Sequence, residues 1–152
     1  MFRFLRRGGL NEEERFDTVE YLREVKPLFE NLNFEFQSWL LEAAADGKKL
    51  ALDHDPDGQH AAVYLYRVGG EAAEFVQHEP AKAAIKYHEE FSLCLESRAA
   101  AAAALKEAAD YSTSRDPTDR VAEANRQLVE SERRLTRANA ALREVEGRAG
   151  TP

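Results

Sequence analysis

The chain has a single cysteine, Cys94, and one tryptophan among its 152 residues. A lone cysteine excludes an intramolecular disulfide, so the folded state must rest on a hydrophobic core. No run of about 18 apolar residues is present, which leaves no candidate for a membrane-spanning helix. The N-terminus lacks the apolar stretch and small-residue cleavage site of a secretory signal, so the expected location is cytoplasmic. A basic excess is missing too. The formal net charge is -7, and binding to phosphates over the whole surface would need clustered Lys and Arg, so no nucleic-acid partner is expected. Also absent are a phosphate-cradling glycine loop, a dinucleotide fingerprint, a Cys/His metal spacing and a Ser/His/Asp arrangement. No catalytic residue and no cofactor is assigned, and the chain reads as noncatalytic.

What the sequence does have is periodicity. With 43% hydrophobic and 32% charged residues, its composition is that of an ordinary helix-rich soluble protein, and residues 1–152 fit one domain. Leu22, Val25, Phe29, Leu32, Phe36, Trp39 and Ala43 fall alternately three and four apart, which puts an unbroken apolar seam on one helix face. Asn11 is a good N-cap, and Glu12, Glu13 and Glu14 place negative charge on the first turn, where unpaired N–H groups favour it. Pro27 interrupts, but the seam keeps its phase, which predicts a kinked continuous helix 1 over 11–46 with Asp46-Gly47 as the left-handed stop. This helix is acidic: residues 11–47 hold ten acids against Arg15, Arg23 and Lys26.

Two further long helices are expected. Pro80 suits the first position of helix 2, over 80–111, whose inner face is Ala84, Phe91, Leu95, Ala102, Leu105 and Ala109. Cys94 lies on or beside that seam as a packed thiol, with no base nearby to activate it. Asp116 and Pro117 then open helix 3, over 117–147, in which Val121, Leu128, Leu135 and Leu142 repeat every seven residues. Between them stand Ala124, Ser131, Ala138 and Val145, the pattern of a coiled-coil-like seam. The short polar turn at 112–116 makes these two helices antiparallel.

Between helix 1 and helix 2 the period changes. Leu50 and Leu52 alternate with polar neighbours, Asp55-Pro56-Asp57-Gly58 has turn chemistry, and His60 to Val68 is an aromatic and branched run. With Gly69-Gly70 as a second turn, residues 48–79 read as a three-stranded antiparallel meander. A competing reading makes 59–68 and 71–79 short helices, because Ala is frequent in both. The preferred fold class is mainly α (α+β): three long helices in an antiparallel bundle with this small meander inserted.

Candidate functional residues fall in two places. Phe2, Phe4 and Leu5 interleave with Arg3, Arg6 and Arg7 ahead of Gly8-Gly9, a pattern that suits a basic amphipathic tip for an acidic groove or an anionic membrane surface. The meander supplies the second. As a hairpin it would oppose His54 and His60 on a face shared with Tyr64 and Tyr66, offering two imidazoles for zinc or proton sensing and two tyrosines for a partner. Asp53, Asp55 and Asp57, with Gly58, also match the first half of a calcium loop, but Tyr64 stands where the bidentate glutamate belongs. The expected function is a noncatalytic scaffold or adaptor docking a protein partner or a second copy. The alternative is a small-ligand or metal-binding protein built around His54 and His60.

Overall fold

The computed structural model describes residues 9–111 and 116–150. They form α1 (Glu12–Ala43), β1 (Ala44–Ala45), β2 (Lys49–Leu50), a 3-10 turn (Leu52–His54), α2 (Gln59–Gln77), a second 3-10 turn (Lys82–Ala84), α3 (Ile85–Tyr111) and α4 (Thr118–Ala149). The class is mainly helical, with one two-stranded antiparallel sheet.

Helix α1 begins at a reciprocal cap. Asn11 Oδ1 accepts the Glu14 N–H at 2.8 Å, and Glu14 Oε1 accepts the Asn11 N–H at 3.2 Å, which satisfies two donors that the first turn would otherwise leave unpaired. Pro27 lies on the exposed side and the helix runs past it without a break. All seven seam residues from Leu22 to Ala43 are buried. Beyond Ala43 the backbone turns extended, and Asp46 (φ 56°) and Gly47 (φ 66°) both take the left-handed conformation. They reverse the chain so that Ala44 pairs with Leu50 and Ala45 with Lys49. The hairpin therefore sits earlier, and is far shorter, than the expected meander.

Residues 59–77 correct that expectation: they form one helix and no strand. The physical reason is a second period hidden in the aromatic run. Ala61, Tyr64, Val68 and Phe75 are buried, with Leu65 and Ala72 packed against the core, so the inward positions recur three, four and seven residues apart. That register continues through Gly69-Gly70, which are exposed helical residues and no turn. A methyl group built on either glycine would meet no atom within 4 Å. Gly69→Ala with Gly70→Ala should therefore stabilise the protein by about 1–2 kcal/mol, since each glycine in a helix interior costs roughly 0.5–1 kcal/mol relative to alanine. Urea denaturation of the double variant checks this, and a loss of stability would contradict the helix.

Four helices then pack where three were expected. Glu42 with His60, Asn31 with Glu71 and Glu24 with His78 join α1 to α2 along their length, which fixes them antiparallel. Phe75 meets Tyr87 and Phe91 across the α2–α3 corner. Cys94 donates to the Ser131 carbonyl, and Glu90 pairs with Arg134 at 3.2 Å between α3 and α4. Lys26 and Glu146, 2.6 Å apart, tie α4 back to α1. The result is an up-down-up-down bundle.

Helix α3 is the central element. Its expected inner face is buried in full, and Tyr87, His88, Cys94, Arg98, Ala101, Ala104 and Ala108 are buried as well. It opens on the 3-10 turn at Lys82, so Pro80 belongs to the connection and is not the first helical residue. On α4 the expected seam is buried from Ala124 onward: Ala124, Leu128, Ser131, Ala138, Leu142 and Val145 are buried and Leu135 packs at the margin, whereas Val121, its first expected member, is half-buried and lines an open groove. Alanines and a serine at these positions let the α3 and α4 backbones run close together. Among the described residues no helix is long and apolar enough to cross a membrane.

Candidate functional site

The six residues of the basic tip, Phe2, Arg3, Phe4, Leu5, Arg6 and Arg7, lie outside the described residues. The other sequence candidates are placed, but without the hairpin that would have set them face to face. His54 is exposed on the 3-10 turn, while His60 stands in the first turn of α2, with its Nδ1 2.9 Å from Glu42 Oε2. Asp53 is exposed. Asp55 is fully buried, and its two oxygens accept the N–H groups of His60 (3.0 Å) and Ala61 (2.9 Å). Asp57 Oδ1 accepts the N–H of Gln59. The aspartate-rich loop thus closes the N-terminus of α2, with Gly58 in the left-handed region (φ 71°) packed against Lys106 and Ala109. Among the described residues no group of three or more His, Cys, Asp or Glu side chains is placed to hold a metal ion. Tyr64 and Tyr66 part company for the same reason: two residues on a strand share a face, two on a helix do not. Tyr64 is in the core and Tyr66 is 89% exposed.

Three other features carry the chemistry of the molecule. The first is a groove of about 910 Å³ between the hairpin and the first half of α4. Leu50, Leu52, Val121, Ala122 and Val129 line it, with Lys49, Thr118 and Arg126 among its polar members. Asn125 holds its two walls together: Oδ1 accepts the Leu50 N–H at 2.8 Å, and Nδ2 donates to the Leu50 carbonyl at 3.0 Å. One side-chain amide therefore pairs with both polar groups of a buried residue, as a neighbouring strand would. Val129 is 66% exposed, an apolar side chain left at the mouth of an apolar groove.

The second is a histidine junction where α1, α2 and α3 meet. The buried His88 accepts from or donates to Tyr21 OH through Nδ1 at 2.6 Å, and its Nε2 lies 3.2 Å from the Val76 carbonyl. Since a carbonyl only accepts, the proton is on Nε2 and Tyr21 donates to Nδ1. Phe75 stacks on the ring at 4.9 Å. Burial holds the His88 pKa below the ordinary histidine value, whereas the hydrogen bond to the Glu74 carbonyl, with help from Glu24, holds that of the more exposed His78 above it. The two act in opposite senses. The His88 contribution is present above the unfolded value near ~6.5 and lost as pH falls through its folded value. The His78 contribution is present below that value and lost as pH rises through its own. Acidification from neutral pH should lower Tm more steeply in His78→Gln than in wild type, and NMR titration should place the His88 midpoint below that of His78. Reversed midpoints would contradict this geometry.

The third feature is a buried guanidinium. Arg98 is 1% exposed, with Cζ 4.2 Å from the Phe36 ring centroid and 5.5 Å from that of Phe91. Nη2 donates to Asn33 Oδ1 at 2.8 Å, while Nε and Nη1 have no acceptor among the described residues. Trp39, stacked on Tyr64 at 4.9 Å, buries an Nε1–H that is equally unpaired. Burial pushes the Tyr64 phenol up to about 12, against a smaller lowering by the Arg98 charge, and it pushes the Cys94 thiol up as well. Cys94 is thus an unreactive packed thiol. Sequence reading missed Arg98, although the signal was there: it fills the seven-residue repeat Ala84, Phe91, Arg98, Leu105 in an otherwise apolar seam.

No protein-family model, no curated protein and no solved structure matches this chain.

Proposed function

We propose that the chain is a noncatalytic interaction protein whose bundle supports the hairpin-end groove, and that the groove receives the apolar face of an amphipathic helix from a protein partner. The groove itself supports this reading. Its floor and mouth are Leu50, Leu52, Val121 and Val129, and the stretch of α4 that walls it, from Pro117 to Val129, is roughly 18 Å long at 1.5 Å per residue. That length matches about three turns of a helix presenting apolar residues three, four and seven apart. Lys49, exposed at the rim, favours a carboxylate at the end of the partner's apolar stripe. The Asn125 clamp keeps the two walls in register before anything binds, which lowers the ordering cost of association.

Lys49 also supplies an amine for the test. Capture from the native source with an amine-reactive cross-linker should join Lys49 to a partner segment of helical apolar periodicity. Val129→Glu should reduce that product about tenfold or more, the equivalent of roughly 1.4 kcal/mol. Capture indifferent to Val129→Glu, or Lys49 joined only to a second copy of this chain, would contradict the proposal.

A further inference from the structure

Helix α2 turns an uncharged face to solvent. Gln59, Ala62, Tyr66, Gly70, Ala73 and Gln77 recur three and four residues apart, and all are exposed except the half-buried Ala62, so they form one outward stripe. Solvent-facing stripes of a helix ordinarily carry charge. Here Tyr66, 89% exposed, projects from the middle, and Val63 and Val76 border it, both exposed. The charges of α2 are set to one side, toward α1: His60 pairs with Glu42, Glu71 with Asn31, and Arg67 with Glu35. The glycines have no explanation within the fold. Neither Gly69 nor Gly70 has a positive φ, and a methyl group on either would meet no atom within 4 Å. Each weakens the helix without serving a contact inside the chain. What glycine does permit on an outer face is a second backbone at the short end of the roughly 8–10 Å interaxial range.

The face is complementary to itself about Gly70. Two copies of α2 laid antiparallel, with a two-fold axis beside Gly70, set each residue opposite the one equally far along on the other side. Tyr66 then falls over Gly70 and Ala73 of the second copy, a projecting ring above side chains of no carbon and one. Arg67 and Glu74 stand two helical turns apart on the same flank of the stripe. The same axis brings Arg67 of each copy to Glu74 of the other, which makes two symmetric ion pairs. Both side chains are available for this. Glu74 is exposed, and Arg67, with a side chain 64% exposed, meets Glu35 only at 3.9 Å.

From this match of shape and charge, we infer that the outer face of α2 is the interface of a homodimer in which two copies pair antiparallel and cross at Gly70. A second copy is the occupant because the ring, the hollow and both charges lie on one helix, so a single surface supplies both halves of the contact. Helices α2 and α4 hold opposite corners of the bundle. The dimer therefore leaves both hairpin-end grooves open, and the pairing does not depend on what they bind. One helix pair buries less than the roughly 800 Å² per partner of a standard interface, so the dimer is weak, with Kd on the order of 10–100 µM.

Sedimentation equilibrium of the full chain, from about 1 µM to about 1 mM, brackets that range and should show a monomer–dimer equilibrium. Gly69→Ala with Gly70→Ala should weaken the dimer about tenfold or more while raising the stability of the monomer, so a folding defect cannot account for the loss. Arg67→Glu and Glu74→Arg each set like charges opposite one another, and each variant alone should stay monomeric. An equimolar mixture of the two should recover a dimer, because every position 67 then meets an opposite charge at position 74 of the other variant. A wild type that remains monomeric at about 1 mM would overturn the inference. So would a dimer that none of these substitutions weakens, or a mixture no more associated than its two components.

Discussion

Truncating Phe91 to alanine is expected to cost the bundle about 3–5 kcal/mol, the usual range for a large aromatic removed from a close-packed core. Phe91 is fully buried and its ring sits 4.5 Å from Phe29 and 5.0 Å from Phe75, between centroids. It is therefore where α1, α2 and α3 touch at once. The loss combines the transfer free energy of the ring, the void left behind, and two edge-on aromatic contacts worth roughly 0.5–1.5 kcal/mol each. The void would open beside the Arg98 guanidinium, so water will enter it, and the measured value should fall in the lower half of the range. Phe91→Leu keeps most of the volume and should cost under about 2 kcal/mol. Chemical denaturation of both variants checks the pair. A Phe91→Ala loss below about 1 kcal/mol would mean that the three helices do not meet there.

Asp55→Ala should be the next most damaging change, at about 2–3 kcal/mol. The Asp55 carboxylate is wholly buried and accepts two backbone N–H groups of the first turn of α2. Hydrogen bonds to a charged acceptor contribute roughly 1.5–3 kcal/mol, and loss of a helix cap typically costs about 1. Alanine would leave both amides unpaired at the point where α2 enters the core. Asp55→Asn retains one acceptor oxygen but turns an NH₂ group toward the second amide, so it should lie between alanine and wild type. A fall in Tm of roughly 5–10 °C for Asp55→Ala follows from the size of the protein. A neutral result, or a loss equalled by the exposed Asp53→Ala, would remove the capping role.

The sequence announced what is periodic and local, and concealed what is formed by distant segments. The seams of α1, α3 and α4 were legible because each spans many turns with few interruptions, and the Asn11 cap was legible from its three following glutamates. Helix α2 was not, for competing reasons. It is short, its outer face carries Val63 and Tyr66, residues that favour strands, and Gly69-Gly70 break the pattern where the helical period would have shown itself. The Asp55-to-Gly58 stretch was recognised as a reversal of chain direction. Its destination was misread, because the same chemistry serves a hairpin turn and a helix-capping loop.

The groove was beyond sequence reading, since it exists only where residues 45–52 come against residues 117–129. No local pattern encodes the grip of Asn125 on Leu50. Arg98 lay within reach: a charged residue in phase with Phe91 and Leu105 signals a buried ion as readily as an exposed one. Its helix keeps an exposed face of Lys86, Glu89, Leu93, Glu96, Ala103 and Asp110, and Arg98 lies off that face, in phase with the buried seam.

The direct test of the architecture is residue-resolved NMR on residues 59–77 and on Trp39. Helical Cα shifts running without interruption from Gln59 through Gly69-Gly70 to Gln77, with ring-to-ring NOEs between Trp39 and Tyr64, are the predicted result. Extended shifts over 60–68 with NOEs pairing His54 to His60 across a hairpin would contradict it. They would also remove the four-helix bundle that frames the groove and buries Arg98.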